Sequence, residues 1–221
     1  SDCDIRSALP EMEAAARQGY SVIALGVDQQ FCGFFVIADQ LKSDTAQAIA
    51  QLKDMGITPV MVTGDHPLSA HAIARQAGID EVIAKVLPQE KGEVVKRFQK
   101  EHKVAMVGDG INDAVALTQA DVGIAIGSGS DVAVESADII LMKDSIVDVA
   151  TAIRLSKAVI RNIHQNLFWA FFYNSIGIPI AAGVLYAFGG PLLSPVFAGA
   201  AMAFSSVCVV TNALRLRRFK A

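Results

Sequence analysis

A chain of 221 residues is long enough for a packed domain and something more, and 52% hydrophobic residues with a mean hydropathy of +0.41 say that the extra piece is apolar. The net charge of -3 is unevenly spread: after Asp148 there are seven bases and no acid, which leaves 12 bases against 22 acids in the first 148 residues. An acidic front argues against a nucleic-acid partner, and Cys3, Cys32 and Cys208 form no Cys-x-x-Cys pair that would suggest a zinc knuckle or a disulfide framework.

The chain starts with Ser and without a basic-then-apolar leader, so it is expected to be a fragment of something longer. Residues 9–18 have the spacing of an amphipathic helix. Two β-like runs follow at 21–27 and 31–38, set apart like the arms of a hairpin. Residues 45–55 read as a helix stopped at Gly56.

An alternation then begins. Strand 58–62 ends in Thr63-Gly64-Asp65, and helix 67–77 is closed by Gly78. Strand 81–86 and helix 89–100 come next, then the apolar run 104–107 ending at Gly108-Asp109-Gly110. A helix from Asn112, a strand at 122–126 and a short strand at 139–142 complete the series. Strands alternating with helices predict an α/β fold with a parallel, doubly wound sheet.

Residues 146–164 have amphipathic helical spacing and run into the apolar stretch 167–187. A second apolar stretch, 191–214, follows an uncharged turn at Phe188-Gly189-Gly190-Pro191. Each is about long enough to cross roughly 30 Å of hydrocarbon. Bases before the first and after the second predict a two-helix transmembrane hairpin with both outer ends cytoplasmic.

Ligands of open α/β sheets sit at the carboxyl ends of strands. Three features fall there: Thr63-Gly64-Asp65, Lys91 in the Pro88-Gln89-Glu90-Lys91 turn, and Asp109 with Asp113 one helical turn further on. Taken singly they read as a helix-capping loop, a solvated lysine and a surface carboxylate. Together they supply what phosphoryl transfer needs, since that chemistry rests on positioning and charge neutralisation. Thr63 would donate to a phosphoryl oxygen and Lys91 would offset charge. Asp109 would ligate Mg²⁺, with Asn112 and Asp113 holding its waters or the Asp109 carboxylate.

Thr63-Gly64-Asp65, the turn ending in Lys91 and Met106-Val107-Gly108-Asp109-Gly110-Ile111-Asn112-Asp113-Ala114 resemble the phosphorylation domain of P-type ATPases, in the haloacid dehalogenase superfamily. The resemblance covers nearly the whole chain. It implies ATP-driven ion transport through an aspartyl-phosphate, with ATP and Mg²⁺ as cofactors, in a multi-pass membrane protein whose phosphorylation domain is cytoplasmic. A bacterial inner membrane is the expected location. Val115 stands where the family usually has Pro, and His66 where it commonly has Asn.

The family's Asp-Lys-Thr-Gly-Thr nucleophile motif and Thr-Gly-Glu loop do not occur in the sequence, and Asp2-Cys3-Asp4 is a poor substitute because no apolar strand precedes it. The expected organisation is therefore a remnant of the nucleotide-binding domain (1–38), a phosphorylation domain without its first strand (39–145), a connecting helix (146–164), two membrane helices (165–214) and a basic tail (215–221). The missing parts are the expected partners: actuator, nucleotide-binding and Cys-Pro-Cys membrane segments, together with the lipid bilayer and a copper chaperone. The fragment alone should not turn over ATP.

Neither apolar stretch contains Asp, Glu, Lys, Arg or His, which disfavours calcium, sodium or zinc as cargo. Met202 and Ser206 share a helix face, and a thioether suits soft Cu(I), although Met in such a stretch more often packs and Ser pairs often join helices. Tyr173-Asn174 with Met202-x-x-Ser205-Ser206 resembles the copper(I)-transporting subgroup, in which such residues complete the metal site. Copper(I) export is thus the expectation. Silver or zinc transport, a membrane-anchored phosphatase of the superfamily and a non-catalytic accessory subunit are the alternatives.

Overall fold

The computed structural model describes residues 5–28, 30–37, 41–109, 112–127, 135–143, 145–190 and 194–219. Gly110, Ile111, Asp2-Cys3-Asp4 and Pro191 lie outside them. The chain divides into two compact units, Ser1–Ala150 and Thr151–Ala221.

In the first unit, α1 (Leu9–Arg17) leads into the antiparallel hairpin of β1 (Ser21–Val27) and β2 (Gln30–Ile37). Then come α2 (Thr45–Asp54), β3 (Val60–Val62), α3 (Pro67–Ala77), β4 (Glu81–Ile83), α4 (Pro88–Gln99), β5 (Ala105–Gly108), α5 (Ala114–Gln119), β6 (Val122–Ile126) and β7 (Ile139–Leu141). Local chemistry explains the helix ends. Pro67 and Pro88 occupy first-turn positions, where a missing N–H costs nothing. Gly78, at φ 78°, closes α3 in a left-handed conformation that a side chain would resist.

The single doubly wound sheet expected from the alternation is found as two parallel pieces. β3 pairs with β4, and β5, β6 and β7 pair in that order. No ladder joins β3 to β5 among the described residues. Small side chains let helices lie close to these strands: Ala48, Ala70, Ala116 and Ala125 are fully buried, beside Leu117 and Ile124. At Gly123 a Cβ would stand 2.7 Å from the carbonyl oxygen of Leu117, so only glycine lets β6 pass that turn.

The start of the β5–β6 pair is held by Asp121. Its carboxylate accepts from Lys103 Nζ at 2.7 Å and from the Val104 backbone N–H at 3.0 Å, while its own N–H donates to the Val104 carbonyl at 3.0 Å. This sets the register that places Gly108 beside Ala125.

The second unit begins within α6 (Ile146–Ala181), whose first turn belongs to the first unit. Ser145 caps α6 by accepting from the Val147 N–H, and its hydroxyl donates to Asp44 at 2.5 Å. The short α7 (Val184–Ala187) and the longer α8 (Pro195–Leu214) follow, and a 3₁₀ turn, Arg215–Arg218, comes after α8. The apolar stretch 167–187 is thus not one helix. Gly183 takes φ 90° and breaks it after Ala181. Among the described residues no helix is long and apolar enough to cross a membrane.

Asp121 carries a titration consequence. The hydrogen bond from Lys103, followed by that from the Val104 N–H, lowers its pKa to about 2. A carboxylate with a depressed folded-state pKa contributes stability above its unfolded pKa, lost as pH falls through the folded one. The Asp121 contribution should therefore be complete above about pH 4 and vanish towards pH 2. Asp121→Asn is expected to lower the melting temperature at pH 7, with the difference from the parent closing on acidification.

Candidate functional site

Of the candidate residues of the first unit, Thr63 follows β3 and Asp109 follows β5, while Lys91 lies on α4 and Asp113 at the start of α5. The Thr63 N–H donates to the Ile83 carbonyl, extending the β3–β4 ladder by one step, and its carbonyl accepts from the Val86 N–H at 3.1 Å. The Asp65 carbonyl accepts from the Lys85 N–H at 3.1 Å. The Thr-Gly-Asp loop is therefore tied to residues 85–86, just ahead of α4. Within the loop the Thr63 hydroxyl donates to Asp65 Oδ2 at 2.7 Å and accepts from the Asp65 N–H at 3.2 Å. The proton expected to reach a phosphoryl oxygen is engaged by Asp65 here.

Lys91 lies in the first helical turn of α4, within the helix expected over 89–100. That helix is capped by Glu90, which accepts from the Leu87 N–H at 2.9 Å. From α4, Lys91 Nζ meets Asp113 Oδ1 at 2.5 Å, with only 14% and 13% of the two side chains exposed. Asp113 precedes α5 and lies against the end of β5. A Cβ on Gly108 would stand 2.5 Å from Asp113 Oδ2, 2.9 Å from its Cβ and 3.0 Å from its Cγ. Gly108 is thus the floor on which this carboxylate rests.

Asp109, the next residue, is exposed at the strand end, as is Asn112. An exposed carboxylate beside a second one already neutralised by an ammonium fits Mg²⁺, which takes one or two carboxylates and leaves other positions to water and phosphate oxygens. Among the described residues no three of His, Cys, Asp and Glu gather to form a fuller cage.

In the second unit the expected metal ligands divide between two faces. Tyr173 and Ser205 are half-buried, and the Tyr173 hydroxyl on α6 lies 3.9 Å from Cys208 Sγ on α8. Asn174, Met202 and Ser206 are exposed. Asn174 donates to its own helix at the Ala170 carbonyl, and Ser206 donates to the Met202 carbonyl. Adjacent helical residues point about 100° apart, so Tyr173 and Asn174 cannot serve one narrow face.

The sequence reading passed over several residues that shape these sites. Glu90 could have been found three residues beyond Leu87 as half of a capping pattern. Gly92 is buried where a Cβ would come 3.0 Å from Val115 Cγ1, which lets α4 and α5 approach next to the ion pair. Asn162, Asn166 and Asn212 join α6 to α8 by side-chain hydrogen bonds.

Comparison with known proteins accords with this geometry. Residues 6–121 match the family model described as haloacid dehalogenase-like hydrolase. Copper-transporting ATPase 1 of Rhizobium meliloti is 53% identical over 97% of this chain, which covers 26% of that protein. A copper-exporting P-type ATPase of Vibrio cholerae is 54% identical over 97% of this chain, covering 24% of it. A crystal structure of a zinc-transporting PIB-type ATPase in an E2.Pi state aligns over 96% of this chain and 34% of that one, at 35% identity and a TM-score of 0.76. The chain belongs to the haloacid dehalogenase-like hydrolase family, and it spans about a quarter of the length of the curated relatives it matches.

Gly108→Ala is expected to push the Asp113 carboxylate off its floor and break its contact with Lys91. Overpacking of this kind costs about 1–3 kcal/mol, measurable as a lowered unfolding midpoint in denaturant. An unchanged midpoint would contradict the close approach.

Proposed function

We propose that this chain is the C-terminal part of an ATP-driven copper(I) exporter that works through an aspartyl-phosphate formed on a residue outside the sequence. The observation that carries the reading is the Lys91–Asp113 pair seated on Gly108 beside the exposed Asp109. This is a polar centre at the carboxyl ends of parallel strands, where a phosphoryl group can be received.

Each residue has a role in that centre. Asp109, with Asp113 beside it and Asn112 on the same exposed rim, would hold Mg²⁺, whose charge offsets that on the transferred phosphoryl group. Lys91 orients Asp113 and limits the negative charge that two neighbouring carboxylates would otherwise accumulate. Thr63 reaches a phosphoryl oxygen once its hydroxyl turns from Asp65. ATP would be held by the upstream part of the protein. A strand from that part, carrying the acceptor aspartate, would join the sheet between β3 and β5, which share no ladder among the described residues.

The second unit is read as part of the membrane region. Phe171, Ile178, Phe188, Met202 and Phe204 are each at least two-thirds exposed, an arrangement suited to lipid or to further apolar helices rather than to water. Asn174, Met202 and Ser206 would then face the Cys-Pro-Cys helix of the same protein, where a thioether and neutral oxygens suit a soft monovalent ion. The rival cargo is zinc, because a solved structure that aligns with this chain is of a zinc transporter. The absence of any carboxylate after Asp148 weighs against a divalent ion in this half of the site.

In the full-length protein, Asp109→Asn is expected to abolish phosphoenzyme formation from ATP; normal phosphorylation would overturn the Mg²⁺ role. ATP hydrolysis should be stimulated by Cu(I) over Zn²⁺, and Met202→Ala should weaken that stimulation about tenfold or more, the loss of roughly one ligand bond. Equal stimulation by both ions would remove copper as the cargo.

A further inference from the structure

The contact between α6 and α8 contains a closed hydrogen-bond cycle through three asparagines, two of its links between side chains and one to the Asn212 backbone carbonyl. Asn162 Nδ2 donates to the Asn212 backbone carbonyl at 2.7 Å, Asn212 Nδ2 donates to Asn166 Oδ1 at 2.9 Å, and Asn166 Nδ2 donates to Asn162 Oδ1 at 3.1 Å. Arg215 approaches the remaining Asn212 oxygen at 3.5 Å. Asn162 is 8% exposed. A buried carboxamide without partners is costly, so a ring that satisfies three of them exists in one alignment of the helices only.

Its position gives it a further consequence. Asn162 and Asn166 meet Asn212, while Tyr173 further along α6 meets Cys208 earlier along α8, so the helices run antiparallel. The ring and the Tyr173–Cys208 contact lie on one seam. A slide of one turn, about 5.4 Å, would take Tyr173 from Cys208 towards Ser205 or Asn212 and would move Met202 and Ser206 relative to Asn174.

We infer that the Asn162–Asn166–Asn212 ring is the register lock of this helix pair and thereby positions the residues that receive the transported ion. The ion-positioning half of this inference rests on the proposed transport function; the lock itself does not. Single polar residues fix alignment in paired helices because the slipped states leave them unsatisfied. Asn166 and Asn212 are positioning residues, since neither is placed among the metal ligands.

The test uses the full-length protein in lipid nanodiscs, spin-labelled at the exposed positions Ile178 and Leu214. The parent should give one narrow distance distribution. Asn166→Leu and Asn212→Leu should each broaden it or shift it by about one helical turn, with the double variant no worse than either single. In the same variants Cu(I) affinity, measured against a competing chelator, should fall roughly threefold to twentyfold, the range for an interhelical hydrogen bond in a bilayer. Phosphorylation of the cytoplasmic site by inorganic phosphate should persist, which separates slippage from unfolding. Unchanged distributions in both single variants would overturn the lock, and shifted distances with unchanged Cu(I) affinity would overturn its positioning role. A parent protein that binds no Cu(I) would overturn the transport reading, and the distance measurement would still decide the lock.

Discussion

The first unit depends on a single close contact, the Asp113 carboxylate resting on Gly108 while Lys91 holds its other oxygen at 2.5 Å. Three elements meet there. β5 supplies the floor, the start of α5 supplies the carboxylate and α4 supplies the ammonium. A charge pair with about one-seventh of each side chain exposed gains little net stability over an apolar contact, because desolvation offsets attraction. Its value is directional: it brings two helices and a strand end to one point, with Asp109 as the exposed neighbour. The buried Gly92 beside Val115 and the Glu90 cap serve the same end, allowing α4 to approach and begin where Lys91 reaches Asp113.

Both units fix alignment with polar groups and bury apolar surface around them. In the first, Asp121 ties the start of β6 to the start of β5, which puts Gly108 level with Ala125 and sets where the strand end emerges. In the second, three asparagines tie α6 to α8. Apolar burial is roughly proportional to area and indifferent to small slides. Hydrogen-bonded groups have partners at one setting, so they decide alignment even where they add little stability.

Much of the fold was legible because short-range rules settle it. Pro67 and Gly78 bracket α3, and the apolar run before Gly108 forms the strand whose end bears Asp109, although only Gly108 of that strand is buried. The joining of strands into sheets is a long-range matter, so β3–β4 and β5–β6–β7 could not be told from one continuous sheet. The stretch 167–187 looked like one span because composition does not reveal that Gly183 turns left-handed. At the candidate site, Thr63 and Asp109 were visible as residue types just past strands, and Lys91 and Asp113 as early residues of the helices that follow. That Gly108 serves as a floor was not, since it depends on where α5 returns. The carboxamides were overlooked because they interrupt an apolar pattern that was read for its hydrophobicity. Tyr173-Asn174 was read as one unit although the helix sends the two side chains to different faces.

The Mg²⁺ site proposed for this centre needs Asp113, held by Lys91 against Gly108, as the partner of Asp109. The most direct measurement is a Mg²⁺ titration of phosphoenzyme formation in the full-length protein carrying Asp113→Asn, with ATP binding followed in parallel. The half-saturating Mg²⁺ concentration should rise at least about tenfold, the typical cost of a lost supporting contact at a metal centre, while ATP binding is unchanged. A half-saturation point equal to that of the parent would contradict the need for Asp113.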